Sequence, residues 1–313
     1  MRILPFLILC SASLALASPV AIVKRGDIEV ERVTKDMLIH HSNYAAAAYC
    51  SGERVRKWDC GSRCPGNVKV ATYFENSATG MAGYVGVNHD EKTIIVAFRG
   101  SSNIKNWFKN LQILPTNFEY PDSAKGTKVH YGFWDTYNSV SKDVISGLTQ
   151  VISQLPEDPK DYKLLVTGHS LGGAVAVVGA MEIKRHLLNP KSPRCITPPA
   201  KSINLANIYL HTYGQPRVGN ENFARLAYKT LSNSTVTKNM IRVTNRWDPV
   251  PRVPSGSYRH SPHEVYIKGL TRKTVHCDDG SSAEDPRCTI SEFPSINFVA
   301  HLRYWNVVFG PFC

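Results

Sequence analysis

Ser170 lies between Gly168 and Gly172 in the stretch LLVTGHSLGGAVAV, Leu164 to Val177, where a run of strand formers gives way to an apolar helical pattern. A G-x-S-x-G pentapeptide carries chemistry only in that setting. The turn from strand to helix holds the serine in a strained conformation that lifts its hydroxyl clear of the sheet. Glycines flank it because strand and helix pass there too closely for a Cβ. The helix beginning at Leu171 directs free N–H groups and its positive dipole end at the space above Ser170, where an oxyanion is stabilised. The implied chemistry is acyl transfer through a serine nucleophile.

An unassisted serine is a poor nucleophile, so a histidine must take its proton and a carboxylate must orient that histidine. With this elbow the chain order is serine, then acid, then histidine, which confines the search to residues after Ser170. His186 falls in a helical pattern and His211 in a strand, so both read as packed or surface residues. His301, in NFVAHLRYW near the chain end, is the expected base, with His260 and His263 the alternatives. Asp248 follows a strand inside RWDPVPRVP, where prolines can hold a carboxylate still. It is the expected acid, ahead of Asp278 and Asp279 in a polar stretch between cysteines.

The elements that must position these groups alternate. A helix is expected over Lys35 to Tyr49, capped by Thr34. Strands follow at Val68 to Glu75, Met81 to Asn88 and Thr93 to Phe98, then a long helix from Thr136 to Leu155 ending before Pro156. After the strand Tyr162 to Thr167 and the helix Leu171 to Leu188 come a Pro-rich loop (Asn189 to Ser202) and a strand at Asn207 to Tyr213. A helix at Glu221 to Leu231 and strands at Met240 to Asn245 and Glu264 to Gly269 complete the pattern. Strand–helix alternation predicts an α/β fold with a largely parallel central sheet, and a ligand site at the carboxyl ends of its strands.

Residues 1–17 combine Arg2, an apolar run and a small-residue exit at Ala15-Leu16-Ala17, the pattern of a secretory signal peptide. Lys24-Arg25 looks like a dibasic processing site, so residues 18–25 read as a propeptide and 26–313 as one domain. No later run approaches the roughly 20 apolar residues of a membrane span. The net charge of +12 falls to +9 without Arg2, Lys24 and Arg25, and the basic residues are scattered, which argues against a nucleic-acid partner. Outside the leader, which contains Cys10, seven cysteines remain, an odd number, and in an oxidising compartment disulfides are expected over a zinc site. Asn233, in NST, is an N-glycosylation acceptor.

FRGS (Phe98 to Ser101), VHYGF (Val129 to Phe133), VTGHSLGGA (Val166 to Ala174), YGQPRVGN (Tyr213 to Asn220), RVTNRWDPVPRVP (Arg242 to Pro254) and HLRYW (His301 to Trp305) together resemble, in order, the segments of the fungal class 3 lipase family. The resemblance implies an α/β-hydrolase fold and hydrolysis of carboxylic esters, usually triacylglycerols. It assigns Ser170, Asp248 and His301 the roles read above. It places the oxyanion hole at Ser101, rather than the adjacent Ser102, together with the backbone N–H of Leu171. It also implies bridges Cys50–Cys313 and Cys60–Cys64 and, as in yeast secreted members, a late pair Cys277 and Cys288, leaving Cys195 over.

Immediately after the oxyanion segment, Ile104, Trp107, Phe108 and Leu111 make one apolar helical face, with Lys105, Asn106, Lys109 and Asn110 opposite. Such a face also suits an ordinary packed helix, but the resemblance makes this segment (Asn103 to Gln112) a mobile lid over the substrate groove. The expected function is therefore a secreted triacylglycerol lipase acting at a lipid–water interface through an acyl-enzyme, with neither metal nor cofactor. The rival readings are a feruloyl or acetyl esterase, a phospholipase A1, or a non-catalytic lipid-binding relative.

Overall fold

Val85, Ile95, Val166 and Val243 are fully buried in four different strands, as near-continuous apolar runs require when helices cover both faces of a sheet. The computed structural model describes residues 28–109, 111, 114–156, 158–188, 207–232, 239–269, 273–277, 284–291, 297–311 and 313. The leader, the dibasic pair, the Pro-rich loop with Cys195, Asn233, and Asp278 with Asp279 lie outside them.

Among the described residues the main sheet has nine strands: β1 (Ile28–Glu29), β2 (Val68–Asn76), β3 (Met81–Asn88), β4 (Thr93–Phe98), β5 (Lys163–His169), β6 (Ile208–Tyr213), β7 (Met240–Asn245), β8 (Glu264–Lys268) and β9 (Lys273–His276). Their order is β1-β9-β8-β7-β6-β5-β4-β3-β2. The five central strands β4 to β8 are parallel, and the margins on both sides are antiparallel. This is the α/β-hydrolase architecture, with a smaller four-stranded sheet beside it.

Parallel register brings the working ends together. Phe98 pairs with Gly168, His169 with Tyr213, and Tyr213 with Val243. The residues that leave β4, β5, β6 and β7 therefore emerge along one edge.

Helix α1 (Arg32–Ala47) covers one face, burying Leu38, Ala45 and Ala46 against Tyr213, Val243 and Tyr304. Its start differs from expectation. Val30 N–H bonds to Thr274 O beside β9, so the chain enters the helix at Arg32, and Thr34 is packed inside it instead of capping it. The other face carries α3 (Tyr131–Asn138), α4 (Ser141–Ser153), α5 (Leu171–Leu188) and α6 (Glu221–Leu231). The single long helix expected from Thr136 to Leu155 is two. The Ser139 hydroxyl bonds to Thr136 O and the Ser141 hydroxyl to Asn138 O, polar side chains competing for last-turn carbonyls. Its start is also earlier, since His130 Nδ1 accepts from Gly132 N–H at 3.1 Å. No helix among the described residues is long and apolar enough to cross a membrane.

Among the described residues three disulfides form: Cys50–Cys313, Cys60–Cys64 and Cys277–Cys288. The first ties the end of α1 to the chain terminus, across a separation of 263 residues.

Buried imidazoles recur in this core. His41, His169 and His260 are held well below the ordinary histidine range, each first by burial, then by His211, His301 and Arg242 respectively. The unfolded chain binds their protons more readily, so stability falls as pH drops below the ordinary histidine value. Between pH 6 and pH 5 each is expected to remove about 1 kcal/mol. Urea unfolding should need clearly less denaturant at pH 5. An unchanged midpoint across that interval would mean that the three rings are charged in the fold.

Candidate active site

The strand β5 ends at His169 and α5 begins at Leu171, leaving Ser170 alone in the turn at φ +59°. A non-glycine residue in that region is strained, by about 1–3 kcal/mol. The strain is held by hydrogen bonds from Ser170 N–H to Tyr213 O (2.9 Å) and from Gly173 N–H to Ser170 O (2.9 Å). The two glycines of the pentapeptide are sterically obligatory. A Cβ on Gly168 would lie 2.3 Å from Gly172 O, and one on Gly172 would lie 2.1 Å from Phe98 O.

Asp248 follows β7 through a turn and is fully buried. Its Oδ2 accepts from His301 Nδ1 at 2.8 Å and from the Tyr304 hydroxyl at 2.5 Å. Its Oδ1 accepts from Val250 N–H at 2.8 Å. Burial, with the adjacent Asp248 carboxylate next, pushes the Tyr304 hydroxyl well above its ordinary value. The hydroxyl therefore keeps its proton and donates a hydrogen bond to Asp248. His301 closes the short helix α7 (Phe298–His301), capped by Asn297. Asn245, the last residue of β7, donates from Nδ2 to Ala300 O (3.0 Å) and Arg303 O (2.8 Å), pinning that helix beside the strand that delivers Asp248.

The three expected residues are thus gathered at one edge of the sheet. A Cβ on Gly214 would lie 3.0 Å from both Asp248 Oδ2 and His301 Cε1, and Gly214 follows Tyr213, whose carbonyl holds the Ser170 N–H. Among the described residues, Ser170 Oγ and His301 Nε2 are both buried and without a hydrogen-bond partner. His301 is therefore bonded to Asp248 through Nδ1, and no hydrogen bond joins its Nε2 to Ser170.

The alternative histidines serve elsewhere. His260 Nε2 bonds to Pro251 O (2.7 Å) and bolsters the loop after Asp248. His263 lies edge-on to Tyr228. Gly100 packs its α-carbon against the elbow, where a Cβ would lie 3.0 Å from Ser170 Cβ, so the segment entering Ser101 borders Ser170. Ser101 is half-buried and Ser102 exposed. At the start of α5, the N–H of Leu171 has no intrahelical acceptor.

Helix α2 (Ile104–Lys109) falls within the segment expected as a lid. Ile104 is buried, and Trp107 and Leu111 pack on the core. Trp107 stacks near Phe133, with ring centres 6.4 Å apart, and Phe108 meets Phe298 of α7 edge-on at 5.3 Å. The apolar face points inward, and Ser170 and His301 are no more than 1% exposed.

Residues 95–258 match the family model Lipase (class 3). The chain belongs to the class 3 lipase family. This lipase is 30% identical to a lipase of Rhizomucor miehei over 87% of its own length and 69% of the relative's. It is also 30% identical to a secreted mono- and diacylglycerol lipase A of Penicillium cyclopium, over 86% and 81%. The solved structure of the Rhizomucor miehei triacylglyceride lipase superposes with a TM-score of 0.75 at 28% identity, covering 91% of this chain and 99% of that one. The protein is a carboxylic-ester hydrolase with the α/β-hydrolase fold.

Nothing local in the sequence distinguishes Tyr304, Asn245 and Gly214 from core or turn residues. Tyr304→Phe removes one of three donors to a buried carboxylate. It is expected to lower stability by about 2 kcal/mol and turnover about tenfold, read by urea unfolding and by ester hydrolysis. Wild-type values in both would show that the hydroxyl contributes nothing to Asp248.

Proposed function

We propose that Ser170 is the nucleophile, His301 the general base and acid, and Asp248 the residue that orients it, in a lipase that hydrolyses acylglycerols at a lipid–water interface. The observation that carries this reading is the buried 2.8 Å contact between His301 Nδ1 and Asp248 Oδ2 beside a strained serine at the head of α5. With Nδ1 committed to the carboxylate, Nε2 is free to take the Ser170 proton as Oγ attacks the ester carbonyl. The N–H groups of Ser101 and Leu171 receive the oxyanion. As the carbon–oxygen bond to glycerol breaks, His301 returns the proton to the departing alkoxide. Water then attacks the acyl-enzyme by the same route and releases the fatty acid. These steps consume water alone.

The inward face of Ile104, Trp107, Phe108 and Leu111 supports a lid that shields the groove in water and swings out at oil, where the same apolar area is again removed from water. Export also belongs to this reading, with a leader ending near Ala17, cleavage after Arg25 and a glycan on Asn233. The named secreted relative supports the export.

Ser170→Ala is expected to lower turnover of tributyrin by about 10⁶-fold, and near-normal hydrolysis by that variant would refute the assignment. For the lid, activity on a short ester should rise when the ester passes its solubility limit, and Trp107→Ser should flatten the rise. An equal response in both proteins would remove the lid from the account. Release assays across tri-, di- and monoacylglycerol, phosphatidylcholine and methyl ferulate separate the acylglycerol reading from its rivals.

A further inference from the structure

Behind the reactive groups lies a second row of contacts, running from the end of β4 to α7. We propose that His169 is a positioning residue whose imidazole ties the base, the nucleophile turn and the oxyanion segment into one line of contacts. This rests on the triad reading above.

His169 Nε2 lies 2.8 Å from the backbone oxygen of His301. A carbonyl can only accept, so Nε2 carries the hydrogen and Nδ1 is the bare nitrogen. Nδ1 then accepts from the Tyr49 hydroxyl at 2.7 Å. The Tyr49 oxygen in turn packs against Gly100. Each donor of the chain faces one acceptor: Tyr49 O–H to His169, His169 Nε2–H to His301.

Each link touches a different working part. Gly100 immediately precedes Ser101. His169 immediately precedes Ser170. His301 presents the catalytic ring from the residue whose carbonyl His169 holds. The fit at Gly100 leaves no slack, since a Cβ there would lie 2.1 Å from the Tyr49 oxygen and 2.6 Å from His169 O.

The ring of His169 is also clamped. Phe309 stacks on it with centres 4.0 Å apart and planes 6° off parallel, and the His301 ring lies 4.4 Å away. Phe309 is held in turn by its N–H to Leu302 O (2.9 Å), and its neighbour Gly310 by Arg63 (2.7 Å). The Cys50–Cys313 bridge joins the residue after Tyr49 to the chain end. The C-terminal tail is thus part of the frame that sets His301, and burial keeps the His169 imidazole in its neutral form.

The test uses the full-length enzyme, with active sites counted by a serine-directed phosphonate so that kcat refers to labelled Ser170. His169→Leu removes both links and is expected to lower kcat about 10²-fold, as small misplacements of reacting groups do, with KM changed less than about twofold. His169→Gln, whose amide can accept from Tyr49 and donate to the His301 carbonyl, should restore kcat to within about tenfold of the parent. Tyr49→Phe deletes one oxygen and is expected to lower kcat about fivefold to tenfold. A merely structural role would change the unfolding midpoint and the titratable fraction but leave kcat per labelled site alone.

Parent-like kcat in His169→Leu, or glutamine no better than leucine, overturns the proposal. If the leucine variant does not fold, unchanged kcat in Tyr49→Phe does the same. A parent enzyme that takes no label at Ser170 sinks the triad reading instead, so the two failures are distinct.

Discussion

A carboxylate taken fully out of water is costly unless its lone pairs are filled, and Asp248 is filled from three sides, by His301, Tyr304 and the Val250 N–H. That satisfaction lets a carboxyl group sit at the dry end of β7. From there it fixes both the orientation and the tautomer of His301, because Nδ1 must carry the hydrogen that Asp248 accepts. Nε2 is then the nitrogen left without a partner among the described residues. Remove the carboxylate and the ring has no reason to choose either nitrogen.

The second constraint is steric. The elbow at Ser170 places a non-glycine residue in the left-handed region, a conformation that persists only where its surroundings over-determine it. Here the surroundings are the parallel sheet, whose register delivers Phe98, His169, Tyr213 and Asn245 to the same edge. Glycines stand at each point where two of those chains must touch. The elbow, the segment entering Ser101 and the Asp248 turn are consequences of a single alignment of strand ends.

Water is the third. The helix α2 takes an apolar face out of water by leaning on Phe133 and on Phe298 of the helix bearing His301.

How much of this was legible from the residues depends on range. Ser170 was readable because strand, elbow and helix are contiguous, so a local pattern contains its own structural context; the boundaries of α5 and α6 followed for the same reason. Asp248 and His301 were readable only through the chain order an α/β hydrolase imposes and through the family's segments. Local competition defeated the helix from Thr136 to Leu155, where Ser139 and Ser141 capture carbonyls that a periodicity count treats as helical. Long-range geometry hid the rest. Tyr304 lies 56 residues from Asp248, Tyr49 lies 120 from His169, and Asn245 lies 55 from Ala300. Neighbouring residues alone specify the strand–turn–helix around Ser170, the α/β alternation and the apolar face of α2, because each of these patterns is local. Which nitrogen of His301 is bare, what holds the buried carboxylate, and where that face rests were decided only by tertiary structure, because hydrogen bonds between distant segments exist only once the sheet has brought the segments together.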